Sequence, residues 1–301
     1  METTLNAPAA RHGLVLILIA ALMWGTVGVA TQALYNISNT NPLSIGFFRL
    51  AISVPALALA CFLLLGRLAL RITLRDFGIM GLIGAAMAFY QVAYFASIQL
   101  VGVSIAVLVT LCTAPVIVAL LGTWLLHEQL TQAILLALVC AIGGTVLLVG
   151  SGPATNGGLS QTLLGVTWAL GSALGYSLIT LASRALAERY HPLQPITVGF
   201  AIGALLLLPM ALATGLVVDY SLAGWGLLMH LGLIPTALAY VFFLAGMRHT
   251  RATNATIITL IEPLTATLLA WVFFGEQLGA LGLLGGALLI GAILLLYRQG
   301  E

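Results

Sequence analysis

Lysine does not occur in this sequence, and charge of either sign is scarce: ten arginines and eight acids among 301 residues, or 6%. A soluble domain carries about 25%. Apolar residues make up 61%, and polar residues fall in brief interruptions between apolar runs of roughly 18 to 25 residues, the length that crosses a bilayer. Lipid is therefore the expected solvent. There is no basic run, no basic patch interleaved with aromatics and no zinc-type Cys/His spacing, and the formal net charge is only +2. Nucleic acid is thereby excluded as an expected partner. No GxxxxGK[ST] segment exists to hold a nucleotide, and neither an HExxH helix nor a GxSxG elbow is present, so an enzyme is not expected and no cofactor is called for. The three cysteines, Cys61, Cys112 and Cys140, sit in apolar runs and read as small packing residues.

In hydrocarbon each run must satisfy its own backbone hydrogen bonds, which leaves helices. The expected spans are Gly13–Leu34, Ser44–Leu65, Phe77–Gln99, Ser104–Leu126, Ala133–Gly150, Leu163–Leu186, Ile196–Val218, Ala223–Met247, Ala255–Phe274 and Leu278–Tyr297. The first is too long for a signal-peptide core and is kept as a span. Nine of the ten arginines then lie on one side: Arg11, Arg67, Arg71, Arg75, Arg184, Arg189, Arg248, Arg251 and Arg298. The positive-inside rule makes that side cytoplasmic and places both termini there.

Sliding the chain against itself by 148 positions superposes Gly78 on Gly226, Gly84 on Gly232, Phe95 on Phe243 and Pro115 on Pro263. The same offset carries Glu128-Gln129-Leu130 onto Glu276-Gln277-Leu278. This indicates a duplication, residues 1–150 and 151–301. Five is odd, so the second copy must enter the bilayer from the opposite face. The expected fold is an all-α membrane protein of ten transmembrane helices arranged as two inverted five-helix repeats, an architecture common among secondary transporters. Inverted repeats also build channels, and a channel or a lipid-directed flippase remains open at this level.

The chain resembles the drug/metabolite transporter superfamily, in particular the EamA-type ten-helix exporters. The resemblance rests on Leu22-Met23-Trp24-Gly25, Phe48-Arg49, Pro115…Glu128 and Glu262-Pro263…Gly275-Glu276. It implies export of small metabolites across a bacterial inner membrane, amino acids among them, with the aromatic amino acid exporters the most similar branch. It also implies that helices 1, 3, 4, 6, 8 and 9 enclose the substrate path while helices 5 and 10 brace the outside. Helix 6 departs from the first half, carrying Tyr176-Ser177 where helix 1 carries Trp24-Gly25.

Arg49 and Glu262 are the ionisable residues well inside spans, where an unpartnered charge costs several kcal/mol. Arg49 either holds a substrate carboxylate or snorkels from near the outer end of helix 2. Glu262, about midway along helix 9, either meets an ammonium group or carries a coupled proton, or else is structural glue. Pro115 and Pro263 each remove a helical hydrogen bond and read as hinges or cavity walls, or as plain kinks. Trp24, Tyr90, Tyr94, Trp168, Tyr176 and Tyr240 carry polar tips that need partners, which a cavity or helix packing would supply. Gln91, Asn254 and His230 add polar capacity, and Glu128 and Glu276 read as caps or loop bridges. Small-residue patterns at Gly171–Gly175 and Gly282–Gly286 allow close helix packing and leave the oligomeric state open. The expected partners are a small-molecule substrate and the lipid bilayer.

Overall fold

The computed structural model describes residues 7–125, 131–151, 158–249, 255 and 258–298. The expected positions Glu128, Arg251 and Asn254 lie outside these residues. The described chain is helical throughout. Helix α1 is Ala7–Ile37 and α2 is Pro42–Leu65, followed by a 3-10 turn, Gly66–Leu70. Helix α3 is Leu74–Leu125, α4 Gln132–Ser151, α5 Gly158–Leu186 and α6 Leu193–Thr214. Helix α7, Leu222–Gly232, runs through a π-helical stretch, Leu233–Leu238, into α8, Ala239–Met247. Helix α9 is Ile261–Phe274 and α10 Ala280–Arg298.

Helix ends follow local chemistry. Asn41 caps α2 by accepting the Ser44 N–H, with Pro42 in the first turn, and Ser221 caps α7 by accepting from Gly224. Helices α6 and α9 stop at Gly215 and Gly275, both at positive φ. Two expected spans, the third and fourth, are merged into α3, 52 residues long, whose backbone departs from helical geometry at Gly102 (φ 79°, ψ 177°). The helix turns there because glycine alone pays no Cβ penalty at that φ. Gly102 is also pressed against the α9–α10 connection. A Cβ there would stand 2.7 Å from Glu276 Oε1, and the Glu276 carboxylate accepts hydrogen bonds from the Val103 and Ser104 N–H groups at 2.8 Å each and from the Ser104 hydroxyl at 2.7 Å. Glu276 thus caps the second limb of α3 across more than 170 residues of chain.

Six helices are long and apolar enough to cross a membrane, and three shorter apolar helices accompany them among the described residues. Exposed side chains such as Leu63, Leu205, Val272 and Phe273 form an apolar outer surface. Such a surface is stable only in lipid. The molecule is an all-α, multi-pass membrane protein. Helix α3 is the most buried, packed along α5, while α2 lies on α6 and α1 on α8 and α9. Helices α4 and α10 press together where Gly144 and Gly285 meet: a Cβ on either would stand 2.7 Å from the other's carbonyl oxygen.

Connections rich in arginine bond to one another. Arg189 pairs with Asp76 at 2.5 Å, the Tyr190 hydroxyl donates to Asp76 at 2.9 Å, and Gln194 Nε2 donates to the carbonyls of Leu68, Ala69 and Arg71. Arg248 meets the His191 ring. Burial, with Arg248 adding to it, holds the imidazole below its ordinary pKa. Connections without arginine likewise meet each other: Thr40 and Tyr220 share a hydrogen bond of 2.6 Å, Asn41 donates to Gly215 O, and Val217 N–H donates to Ser44 Oγ.

Candidate functional site

Helices α1, α2, α3, α5, α6 and α9 and the π-helical stretch running into α8 converge on a cavity. Gly25 of α1 lies so close to α9 that a Cβ would stand 2.7 Å from Thr265 Cβ and 3.1 Å from Glu262 O, which sets Trp24 beside Glu262. The cavity is narrow, with a volume of about 30 Å³, room for about two waters.

Trp24, Arg49, Tyr90, Tyr94, Tyr176, Tyr240 and Glu262 all line this one cavity. Residues from six separate stretches of sequence are thereby brought together. Trp168 is not among them and stands 36% exposed on α5. The lining also includes Val27, Met87, Gln91, Phe200 and Thr236. Helices α2 and α6 therefore contribute, whereas the second limb of α3, the expected fourth helix, contributes no lining residue. Phe200 carries no signal that separates it from other phenylalanines in the sequence. Thr236 does: it follows Pro235 inside a helical run, and a proline there foretells disturbed hydrogen bonding.

Arg49 does not snorkel. It is only 6% exposed, its Nε donates to Thr236 Oγ1 at 2.8 Å, its NH1 donates to Gln91 Oε1 at 3.2 Å, and its guanidinium stands 5.8 Å from the centre of the Phe95 ring. The Thr236 hydroxyl in turn donates to Leu231 O at 2.7 Å, five residues back in the widened π-helical turn. One hydroxyl thus both accepts from Arg49 and anchors itself to the backbone. Of the five guanidinium donors, two are occupied by these neighbours. The rest make no hydrogen bond among the described residues, and a guanidinium so placed can grip a carboxylate or another oxyanion.

Glu262 lies in the first turn of α9, just after a turn at Leu260 that separates it from the helical residues Ile258 and Thr259. Pro263 follows it in that same turn, where a missing N–H is tolerated, while Pro115 stays inside the second limb of α3. Neither proline is a lining residue. No hydrogen bond to the Glu262 carboxylate is made among the described residues.

Aromatic rings form the remaining walls. Tyr90 stacks on Tyr94 with centroids 6.0 Å apart and planes 11° apart, and Tyr90 also meets Tyr176 at 5.7 Å. On the other side Tyr240 sits edge-on to both Trp24 and Phe200 at 5.4 Å. The cavity offers one guanidinium, one carboxyl group and several π faces, a set suited to an organic solute with a carboxylate, a basic group and an apolar or aromatic body. His230 lies apart, with its Nε2 2.9 Å from the Thr26 hydroxyl, which itself donates to Met23 O. Among the described residues no three His, Cys, Asp or Glu side chains form a metal-binding group.

Comparison with known proteins bears on what moves through this cavity. The chain is 31% identical to an uncharacterized transporter, YwfM, of Bacillus subtilis (strain 168), over 93% of this chain and 92% of the relative. It is 25% identical to the pseudopaline exporter CntI of Pseudomonas aeruginosa (strain UCBPP-PA14), over 94% and 95% of the two chains. A solved crystal structure shares the fold at a TM-score of 0.67 with 22% identity, covering 97% of this chain and 99% of that one. The model of the EamA-like transporter family matches twice, over residues 11–150 and 163–298. The chain belongs to the EamA-like transporter family: it is a secondary transporter of small metabolites across a membrane, and not an enzyme.

Proposed function

We propose that the chain exports small, carboxylate-bearing organic metabolites across a bacterial inner membrane by alternating access. The observation that carries this reading is the cavity in which Arg49, held by Thr236 and Gln91, faces Glu262 between walls of Trp24, Tyr90, Tyr94, Tyr176 and Tyr240. Arg49 takes the carboxylate, and Glu262 meets a basic group of the solute or exchanges a proton for it. The ten-span, doubly inverted arrangement with both termini cytoplasmic is the frame proposed for this cycle, since two similar halves that exchange conformations open one central site to either side in turn. Two halves matched by one family model and the sorting of arginine-rich from arginine-free connections support that frame.

Amino acids, aromatic ones in particular, are the narrower reading and fit the ring-lined walls. The broader one, a metabolite of another kind, is favoured by the relative named as an exporter of pseudopaline. The test is counterflow in proteoliposomes with labelled aromatic and other amino acids, larger carboxylated amines and cationic drugs, with and without a proton gradient. Carboxylated solutes are expected to exchange and cationic drugs without a carboxylate are not. Glu262→Gln is expected to abolish the response to the gradient. Unchanged transport by that variant at every pH would remove Glu262 from the mechanism.

A further inference from the structure

We propose that the segment joining α2 to α3 is a rigid docking platform for anionic phospholipid headgroups. Arg67, Arg71 and Arg75 recur every four residues along it and all three are exposed. Between them Leu68, Leu70 and Leu74 are 57%, 80% and 89% exposed. Leucines so bare beside guanidinium groups fit a chain lying at the boundary between hydrocarbon and headgroups, with apolar side chains dipping inward and charged ends at the level of the phosphates.

Two features make this more than a general excess of positive charge. The backbone is fixed: Gln194 Nε2 donates to three carbonyls of the segment, those of Leu68 and Ala69 at 3.0 Å and Arg71 at 3.3 Å, and Ala69 and Ile72 pack against the core from the inner side. Its outer side is thereby held in place. The arginines also lack an internal counter-ion among the described residues. Asp76, the acid of this segment, is taken by Arg189, Tyr190 and Thr73, and no described carboxylate pairs with Arg67, Arg71 or Arg75. Three uncompensated guanidiniums call for a ligand with net negative charge, and arginine pairs with phosphate in a two-pronged geometry. A zwitterionic headgroup neutralises its own phosphate. Phosphatidylglycerol does not. Because Gln194, Arg189 and Tyr190 tie the platform to the approach to α6, lipid bound there steadies the contact between the two arginine-rich connections.

The test compares thermal unfolding of the purified full chain in mixed micelles containing phosphatidylglycerol or phosphatidylcholine. The expected midpoint is about 5 °C higher with phosphatidylglycerol, and the gain shrinks in about 1 M salt, where charges are screened within a few ångströms. The triple variant Arg67→Gln/Arg71→Gln/Arg75→Gln is expected to match the parent in phosphatidylcholine and to lose the gain. The corresponding triple lysine variant keeps most of it, and Arg11→Gln keeps all of it. Equal stabilisation of parent and triple glutamine variant, or no preference of the parent for phosphatidylglycerol, overturns the proposal. If the glutamine triple fails to fold, the single variants Arg67→Gln, Arg71→Gln and Arg75→Gln decide: a gain that none of them reduces counts against headgroup binding.

Discussion

Burying a guanidinium is tolerable only where its donors are met, and Arg49 shows how few residues that takes. Thr236 and Gln91 receive two of its N–H groups and leave the rest directed to the cavity. Thr236→Val keeps the shape of the side chain but removes the acceptor for Nε and the bond to Leu231 O. A buried donor left unpaired costs about 1–3 kcal/mol, so the unfolding midpoint is expected to fall. KM for a carboxylated solute should rise about tenfold as the guanidinium loses its orientation. Thr236→Ser should restore both. Counterflow kinetics with a parallel melt checks this, and an unchanged KM with a lowered midpoint would reduce Thr236 to a packing role. Arg49 and Glu262 were legible as candidates because a charge inside an apolar run needs an explanation. Phe200 was not, and Thr236 was marked only by the proline before it, because threonine and phenylalanine are at home in such helices and acquire their role only from what lies opposite. Trp168 on α5 is not among the residues lining this cavity, and the sequence carries no mark of helix rotation strong enough to separate it from Tyr176 where apolar residues surround the helix.

At the scale of elements, apolar length predicts that a helix exists but not how it ends. The third and fourth spans were separated in the sequence only by Leu100-Val101-Gly102-Val103, and the structure joins them through a turn at Gly102 locked by a side chain from beyond α9. Gly102→Ala places a methyl group 2.7 Å from Glu276 Oε1 at a φ of 79°. The strain is expected to cost about 1–3 kcal/mol in addition to the displaced caps. Glu276→Gln keeps one acceptor oxygen and should melt closer to the parent, whereas Glu276→Ala should resemble Gly102→Ala. Unfolding midpoints of the three purified variants give the order, and a mild Glu276→Ala would show that the cap is dispensable. The π-helical stretch Leu233–Leu238 is a second case. Proline 235 announces disturbed hydrogen bonding, but only the packing of α7 against α2 determines that the widened turn delivers Thr236 to Arg49.

For the molecule as a whole, the proposed inverted arrangement predicts where equivalent connections lie. With Cys61, Cys112 and Cys140 replaced, Glu128→Cys and Gln277→Cys should react with a membrane-impermeant maleimide from opposite faces of sealed vesicles. Labelling from the same face would refute the inversion. Apolar content, the absence of lysine and the scarcity of acids determined from the sequence alone that lipid surrounds this chain, because hydrocarbon admits only backbone that satisfies itself. The same reasoning picked out most of the ionisable and aromatic residues of the cavity, since each is costly in lipid without a polar partner. What only the tertiary structure decided is which of them face one another. The approach of α1 to α9 at Gly25, the hook of Glu276 on α3 and the pairing of Arg49 with Thr236 are contacts between distant segments. Their energies depend on distances and directions across helix interfaces, and no local pattern along one strand of sequence encodes these.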